Sequence, residues 1–350
     1  MKDALEAIRK ELVEIDPSLA SLPLIIADSD NLSSLCQMTT NTKVVISTAG
    51  PFDKYGTNLV RCCAEFGTHY CDITGESDWV RQMIDKYDEK AKATGARIVH
   101  FCGHDCVPWD LIVLECSKKL RSVGDSILEI NCYDELNGTA SGGTLATIFH
   151  SLSNRVKYTS SLGFDPLLKL ASGDKSIAVF KAKNQSSLGY SDQHKCWVGP
   201  FVMAMVMANC VRRSHSLGAY SAKMTYRECI IFPGFMAGCI YMMDMITIGL
   251  IIASPPLSWA LLATGVLPNP GQGPSEKMMD DGYLKISAYA SGENSSNKVK
   301  AQFYFPTDPG YRDTARMLVE SGLVLALQSA RLKVGGGIWT PAGFTFCLRL

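Results

Sequence analysis

The sequence predicts an α/β protein with an incomplete, doubly wound parallel sheet, followed by a second, α+β unit whose sheet is mostly antiparallel. Short β-branched runs alternate with helix-length segments over residues 1–110, a pattern typical of βαβ units. Several later runs alternate apolar and polar residues, which indicates antiparallel strands with one covered face. The strand, glycine-rich turn and helix that usually open such a parallel sheet are not found near residue 1.

The first unit, residues 1–110, is predicted to begin with an amphipathic helix over 5–15 that Pro17 ends. A short helix is expected after the polar cap at 28–31, and two longer ones are expected to end at Gly67 and Gly95. Continuous apolar runs predict four strands, at 22–27, 43–48, 69–73 and 96–101.

The second unit is predicted over residues 111–310, with residues 311–350 returning to the first unit. It begins with a helix over 111–120. Alternating patterns predict strands at 126–133, 220–232, 283–291 and 299–305. Further helices are expected at 143–156 and 311–327, a loop or insertion at 172–193, and a hairpin turn at 291–297.

Composition excludes some functions and indicates a compartment. Lys+Arg and Asp+Glu number 34 each, so the chain lacks the basic excess typical of nucleic-acid binding. The 13 cysteines are scattered and odd in number, and the start is charged, which together predict an intracellular, reducing location. Cys102 and Cys106 flank a loop containing His104, but no second pair at zinc-ligand spacing accompanies them, so no metal site is predicted.

The missing opening unit matters because it holds phosphate in this type of sheet. Glycines there let the backbone approach a pyrophosphate, and the helix N-terminus donates N–H groups to it. No segment among the 29 glycines has this pattern between a strand and a helix. The sequence therefore predicts a truncated Rossmann-like sheet that lacks its central strand.

Several motifs resemble the saccharopine dehydrogenase-like oxidoreductases, in the branch that includes the trans-acting enoyl reductases of glycolipid synthesis. The most specific block reads VVISTAGPF at 44–52, THYCDITGE at 68–76 and PWD at 108–110. The similarity continues through GGT at 142–144, VRRS at 211–214, GQGP at 271–274, DPGY at 308–311 and GGIWTP at 336–341. The resemblance implies the two-unit fold, an NAD(P) cofactor and a hydrophobic or lipid-linked substrate.

The chain departs from the family pattern at two places. It has no opening strand with a glycine-rich turn, and it has His104, Asp105 and Cys106 where the pattern has Phe-Asp-Ser. Three interpretations stay open: an oxidoreductase, a non-catalytic relative that has lost cofactor binding, or a truncated chain that does not fold alone.

Candidate site residues lie where the predicted parallel strands end, because ligands bind at the carboxyl ends of such strands. The turn after the strand at 43–48 is the expected cofactor edge, with the alternative that it is only a strand-to-helix turn. It consists of Thr48, Ala49, Gly50, Pro51 and Phe52.

Candidates for the substrate cleft follow at the same edge. They are Tyr55, Asp72, Gly75, Glu76, His104 and Asp105. The carboxylates either orient substrate or cap the next helix. His104 is the residue type suited to proton transfer near neutral pH, while Asp105 is expected to bond the amides of the next helix. No catalytic residue is assigned.

The stretch 230–267 is unusually apolar. Its residues 236–253 contain one acid, Asp244, and no base, and a break at Ser254-Pro255-Pro256 separates them from a shorter apolar run. A spanning helix needs about 20 apolar residues. We expect a hairpin that lies on a membrane or lipid-droplet surface, in keeping with the resemblance. A buried helix pair, a homodimer interface and a true span are the alternatives.

Overall fold

The computed structural model describes residues 2–138, 179–192, 194–218, 220–264, 273–294, 296–332 and 334–345. They form an α/β fold with one parallel and one mixed sheet. The predicted helix at 143–156 and the motif at 142–144 lie outside these residues, as does the first half of the motif at 271–274.

The parallel sheet has the strand order β1-β2-β3-β11. Its strands are β1 (Val44–Ser47), β2 (His69–Asp72), β3 (Arg97–Val99) and β11 (Gly337–Trp339), and all three pairings are parallel. Within the described residues, β1 pairs on one side only, and Ile46 on it is 43 % exposed. The strand that closes the opposite edge comes from near the end of the chain.

Helices cover both faces of the parallel sheet, as the doubly wound prediction requires. The first unit contains α1 (Lys2–Ile15), α2 (Leu32–Thr40), α3 (Phe52–Tyr55), α4 (Thr57–Phe66), α5 (Ser77–Thr94) and α6 (Val107–Arg121). One face packs an apolar core against α2, α4 and α5. The other face packs against α11 (Thr314–Leu327).

The predicted strand at 22–27 is wrong. These residues adopt no regular structure, and Ile25 and Ile26 are half exposed. A strand needs a neighbour to accept its backbone hydrogen bonds, and no described strand lies beside this segment. The preceding helix α1 forms as predicted but has no buried residue.

The mixed sheet has the order β10-β9-β4-β8-β7-β6, with β5 also paired to β8. Its strands are β4 (Ile127–Asn137), β5 (Val179–Ala182), β6 (Gly189–Ser191), β7 (Cys196–Gly199), β8 (Lys223–Phe232), β9 (Tyr283–Gly292) and β10 (Lys298–Phe305). β8 is parallel to β4 and β5, and the remaining pairings are antiparallel. The sheet is therefore mostly antiparallel, as predicted.

The inner face of the mixed sheet packs against α6 and α7 (Ala204–Gly218) and forms the largest apolar core. Short helices α10 (Glu276–Asp280) and α12 (Pro341–Thr345) are also present, as are two 3-10 helices (Pro17–Ser21 and Ser329–Arg331) and a π-helical turn (Pro309–Asp313). The predicted loop at 172–193 is wrong in part, because β5 and β6 lie within it. Both are short strands that pair with neighbours the local sequence does not reveal.

The apolar stretch forms two helices, α8 (Phe235–Ala253) and α9 (Pro255–Ala263). Many of their large apolar side chains are exposed by between 42 % and 68 %: Phe235, Met236, Ile240, Met243, Ile246, Ile248, Leu250 and Leu257. A fully buried helix pair is therefore wrong for this stretch. Among the residues described, no helix combines the length and apolarity needed to cross a membrane.

Candidate functional site at the strand ends of the parallel sheet

The turn after β1 leaves its backbone accessible at the carboxyl edge of the sheet. Thr48, Ala49 and Gly50 are exposed, whereas Phe52 at its end is buried. The Gly50 amide donates to the Thr48 carbonyl at 3.0 Å. The Phe52 ring packs against Trp79, with centroids 5.7 Å apart. The backbone of the turn is therefore exposed to solvent, whereas the Phe52 and Trp79 rings beside it are buried.

Glu76 connects the end of β2 to this turn. Its carboxylate accepts hydrogen bonds from the backbone N–H groups of Phe52 and Asp53, at 2.7 and 2.8 Å. Glu76 therefore caps α3, whereas the sequence suggested capping of the following helix, α5, with which it makes no side-chain cap bond. Burial raises the pKa of Glu76 to about 7, and the two amide bonds offset part of that increase.

Asp72, at the end of β2, binds a residue that the sequence interpretation missed. Its Oδ2 lies 2.7 Å from Nδ1 of His100, and both side chains are fully buried. Its Oδ1 accepts from the Thr74 amide, and Thr74 Oγ1 accepts from the Glu76 amide. Asp72 thus positions the loop that carries Glu76. The sequence located His100 only near the end of the predicted strand at 96–101. Its pairing with Asp72 follows from the register of β2 and β3, in which Tyr70 lies opposite Ile98 and Cys71 opposite Val99.

The turn after β3 places His104 at the junction of the two units. Phe101 has φ of +68°, an uncommon conformation for a bulky residue that marks a constrained turn. His104 Nδ1 lies 3.2 Å from Asp105 Oδ1, and the His104 ring packs edge-on against Trp109 at 5.3 Å. Asp105 therefore contacts the His104 ring, whereas the sequence interpretation expected it to bond the backbone amides of the next helix.

The second unit supplies an apolar wall to this edge. A side chain added at Gly75 would meet Val206 and Met203, at 3.7 and 3.9 Å. Trp109 packs against Phe201, with ring centroids 5.9 Å apart. The loop after β2 and the first turn of α6 therefore face apolar residues from the segment that leads into and begins α7.

Two buried acids lie behind this wall, on the inner face of the mixed sheet. Trp109 Nε1 donates to Asp134 at 3.1 Å, and the Tyr226 hydroxyl donates to Glu228 at 2.6 Å. Burial raises the pKa of Glu228 to about 8, and burial followed by repulsion from Glu228 raises the pKa of Asp134. Sequence reasoning missed both because each occupies an inward position of a strand.

The backbone of Thr48, Ala49 and Gly50 is the accessible part of this edge, and a flat ligand ring would meet it there. The amides at the start of α3 are occupied by the Glu76 carboxylate. No glycine-rich strand-to-helix turn that would hold a pyrophosphate occurs within the described ranges.

The cysteines of the 102–106 loop lie in different surroundings. Cys102 belongs to the core beside α11, and Cys106 belongs to the core beside α4 and α5. In the part of the chain that is described, no three potential ligands are grouped for a metal ion.

Comparison with known proteins places this edge in a recognised domain. Residues 10–99 match the family described as Saccharopine dehydrogenase NADP binding domain. That segment contains the turn at 48–52 together with Asp72, Gly75 and Glu76.

Two similar relatives match almost the whole chain. A trans-acting enoyl reductase of Mycobacterium tuberculosis (strain ATCC 25618 / H37Rv) is 32 % identical, with 96 % of this chain and 84 % of the relative covered. A trans-acting enoyl reductase of Mycobacterium ulcerans (strain Agy99) is 31 % identical, with 97 % and 84 % covered. Among solved structures, apo saccharopine dehydrogenase (L-Glu forming) from Saccharomyces cerevisiae aligns with a TM-score of 0.48 at 10 % identity, over 90 % of this chain and 83 % of that one.

Proposed function

Because the chain belongs to the saccharopine dehydrogenase-like oxidoreductase family, with trans-acting enoyl reductases among its relatives, we propose that it is an NAD(P)-dependent reductase of a hydrophobic, lipid-linked substrate. The observation that carries the proposal is the open strand-end turn, Thr48 to Phe52, within a segment that matches an NADP-binding domain. A bound nicotinamide would supply hydride transfer.

The chain's own residues would orient the reactants at this edge. The backbone of Thr48, Ala49 and Gly50 lines the place for the nicotinamide, and Glu76 fixes the shape of the turn through the Phe52 and Asp53 amides. His104 holds a ring nitrogen beside Asp105 at the adjoining strand end.

The apolar wall supports a hydrophobic substrate. Met203 and Val206 approach Gly75, and Phe201 approaches Trp109. Binding sites for apolar ligands are lined mainly by hydrophobic and aromatic side chains with a few polar groups. Acyl or isoprenoid chains are the substrate class that such a wall favours.

The hairpin α8–α9 supports a second part of the proposal, that the enzyme works at a lipid surface. Five consecutive residues, Ile246 to Leu250, are all exposed. Successive residues of a helix are 100° apart, so these five point in all directions around the α8 axis. Contact with one flat protein face would therefore leave several of them exposed to water. A membrane or lipid-droplet surface covers all of them at once. If a second copy of this chain covers the hairpin instead, the molecular mass in solution should rise with protein concentration.

Titration with NADPH tests the cofactor site. Trp79 packs against Phe52, so its fluorescence reports on the turn. We expect saturable quenching by NADPH or NADH in the wild type. Ala49→Phe should weaken the apparent affinity at least about ten-fold, because its ring fills an exposed part of the turn without entering the core.

The matched control is Ala93→Phe, which adds the same ring at an exposed position on α5. It should bind NADPH as the wild type does. Absence of quenching at saturating nucleotide in the wild type would overturn the reductase proposal and favour a non-catalytic relative.

A further inference from the structure

A cavity of about 440 Å³ opens on the outer face of the mixed sheet. We call it the root pocket because Phe232 and Pro233, which line it, lead directly into α8. Its walls combine aromatic and cationic side chains, among them Tyr133, His194, Trp197, Lys285 and Lys300. None of these residues belongs to the site described above.

The root pocket adjoins the exposed hairpin. Trp197 on its wall packs against Phe235, the first residue of α8, with ring centroids 4.9 Å apart. Tyr190 packs against the same Trp197 at 5.4 Å and is 49 % exposed. Tryptophan and tyrosine are the residues enriched where a protein meets the polar layer of a membrane.

The pocket carries a positive charge that its own residues leave uncompensated. Lys285 pairs with Glu135 at 2.7 Å, and the exposed Lys195 lies 4.0 Å from Asp192. Lys300 Nζ lies 5.3 Å above the ring of Tyr289. No carboxylate among the described residues lies within 4.0 Å of Lys300, so an anionic ligand would find its charge available.

His194 forms the inner part of the same wall. Its ring lies between Tyr133 and Tyr289, with centroid distances of 4.1 and 4.3 Å. Its Nε2 is enclosed and makes no hydrogen bond to a described residue. Burial, and then the charge of Lys300, lower the pKa of His194, which favours the neutral imidazole. A neutral imidazole avoids repelling Lys300 and leaves a polar atom to bind a ligand oxygen.

The length of the hairpin sets the depth at which the pocket would lie. Beyond Asp244, α8 continues without charge to Ala253, a distance of about 13 Å at 1.5 Å per residue. One leaflet of a bilayer has about 15 Å of hydrocarbon. The start of α8 lies a further nine residues, about 13 Å, before Asp244, so the hairpin would be strongly tilted, with Asp244 and the root pocket both at the headgroup layer.

We propose that the root pocket binds the phosphate of an anionic lipid headgroup while the hairpin enters the acyl layer of the same leaflet. The phosphate would contact Lys300 and Nε2 of His194, both of which lie against the Tyr289 ring, and the aromatic walls would pack against the glycerol backbone. The inference rests on the proposed work at a lipid surface. A membrane lipid is favoured over a soluble phosphate because the pocket adjoins the apolar hairpin, so one lipid molecule meets both.

Flotation of the full-length chain with vesicles tests this inference. The vesicles are pure phosphatidylcholine or phosphatidylcholine with phosphatidic acid. Lys300→Gln should lower binding to the anionic vesicles about five-fold, the effect of one lysine near a charged surface, and leave binding to neutral vesicles unchanged. The control is Lys298→Gln, which removes the same charge from an exposed position on the same strand outside the pocket. It should keep the preference for anionic vesicles.

The double variant Ile246→Glu, Leu250→Glu separates the two proposals, because it should abolish binding to both kinds of vesicle. Suppose that the wild type floats with neutral vesicles, and that Lys300→Gln binds anionic vesicles as tightly as the wild type does. The headgroup site is then wrong and the lipid-surface proposal stands. Equal losses in Lys300→Gln and Lys298→Gln would show general surface charge and also overturn the site. Failure of the wild type to float with either kind overturns both proposals. Saturable binding of glycerol 3-phosphate without any preference for anionic vesicles would overturn the headgroup site alone.

Discussion

At the scale of single residues, Glu76 is the group on which the geometry of the candidate site depends most. Its carboxylate holds the start of α3 against the end of β2, through the amides of Phe52 and Asp53. Burial raises its pKa to about 7 from an ordinary value of 4.5. The site therefore contains a carboxyl that is only partly ionised at neutral pH.

This raised pKa predicts how the free energy of unfolding depends on pH. Between pH 4.5 and about 7 the folded state binds more protons than the unfolded chain, so the contribution of Glu76 to stability falls as the pH rises through that interval. Glu76→Gln lacks this titration. The free energy of unfolding of the variant, minus that of the wild type, should rise by about 3 kcal/mol from pH 4.5 to pH 8.

Urea denaturation at a series of pH values measures this difference. Other buried acids, such as Asp110 and Glu228, titrate in both proteins, so their contributions cancel in the subtraction. A difference that stays constant with pH would mean that the pKa of Glu76 is not raised by the fold.

The sequence predicted Phe52 and Glu76 as neighbours of one edge but not the bond between them. Their separation of 24 residues is bridged only when β1 and β2 pair in parallel register. The pairing of Asp72 with His100 depends in the same way on the register of β2 and β3. Local patterns locate strand ends, whereas contacts between strand ends require the assembled sheet.

At the scale of elements, β11 is the strand whose position the local sequence could not reveal. It comes from near the end of the chain and pairs with β3. The glycine before it makes this possible, since a Cβ at Gly336 would lie 2.1 Å from the carbonyl oxygen of Ala91 and 2.8 Å from Cα of Gly95. Both contacts are to backbone, which cannot move aside as a side chain can.

We expect Gly336→Ala to lower the free energy of unfolding by about 2–3 kcal/mol, because it forces α5 and β11 apart. The matched control is Gly335→Ala, since a Cβ there has no atom within 4 Å; it should change stability by less than about 0.5 kcal/mol. Urea denaturation of both variants measures this. Equal losses would show that β11 does not dock against α5 as described.

At this scale the sequence predicted two helix ends correctly, whereas one predicted strand, at 22–27, does not form. Gly67 and Gly95 end α4 and α5 as the sequence predicted, and both adopt the left-handed conformation that favours glycine. Residues 22–27 have a strand-like composition but no described neighbour to pair with. Composition specifies a preference for β structure, and a pairing partner decides whether the strand forms.

At the scale of the whole molecule, the two sheets have different roles in the proposed function. The parallel sheet presents the strand-end turn for a cofactor, and the mixed sheet supplies the apolar wall beside it and the exposed hairpin at its other side. The two units meet where Gly75 faces α7 and where Trp109 joins His104 to Asp134. The predicted boundaries at residues 110 and 310 stay a prediction.

Hydrogen–deuterium exchange of the whole chain, with and without NADPH, tests the central claim most directly because it requires no knowledge of the substrate. We expect NADPH to slow the exchange of peptides covering residues 48–56 and 74–79, and to change the exchange of β9 and β10 little. Binding of NADPH that protects only the mixed sheet, or saturating NADPH that leaves the amides of 48–56 unchanged, would contradict the assignment of this edge as the cofactor site.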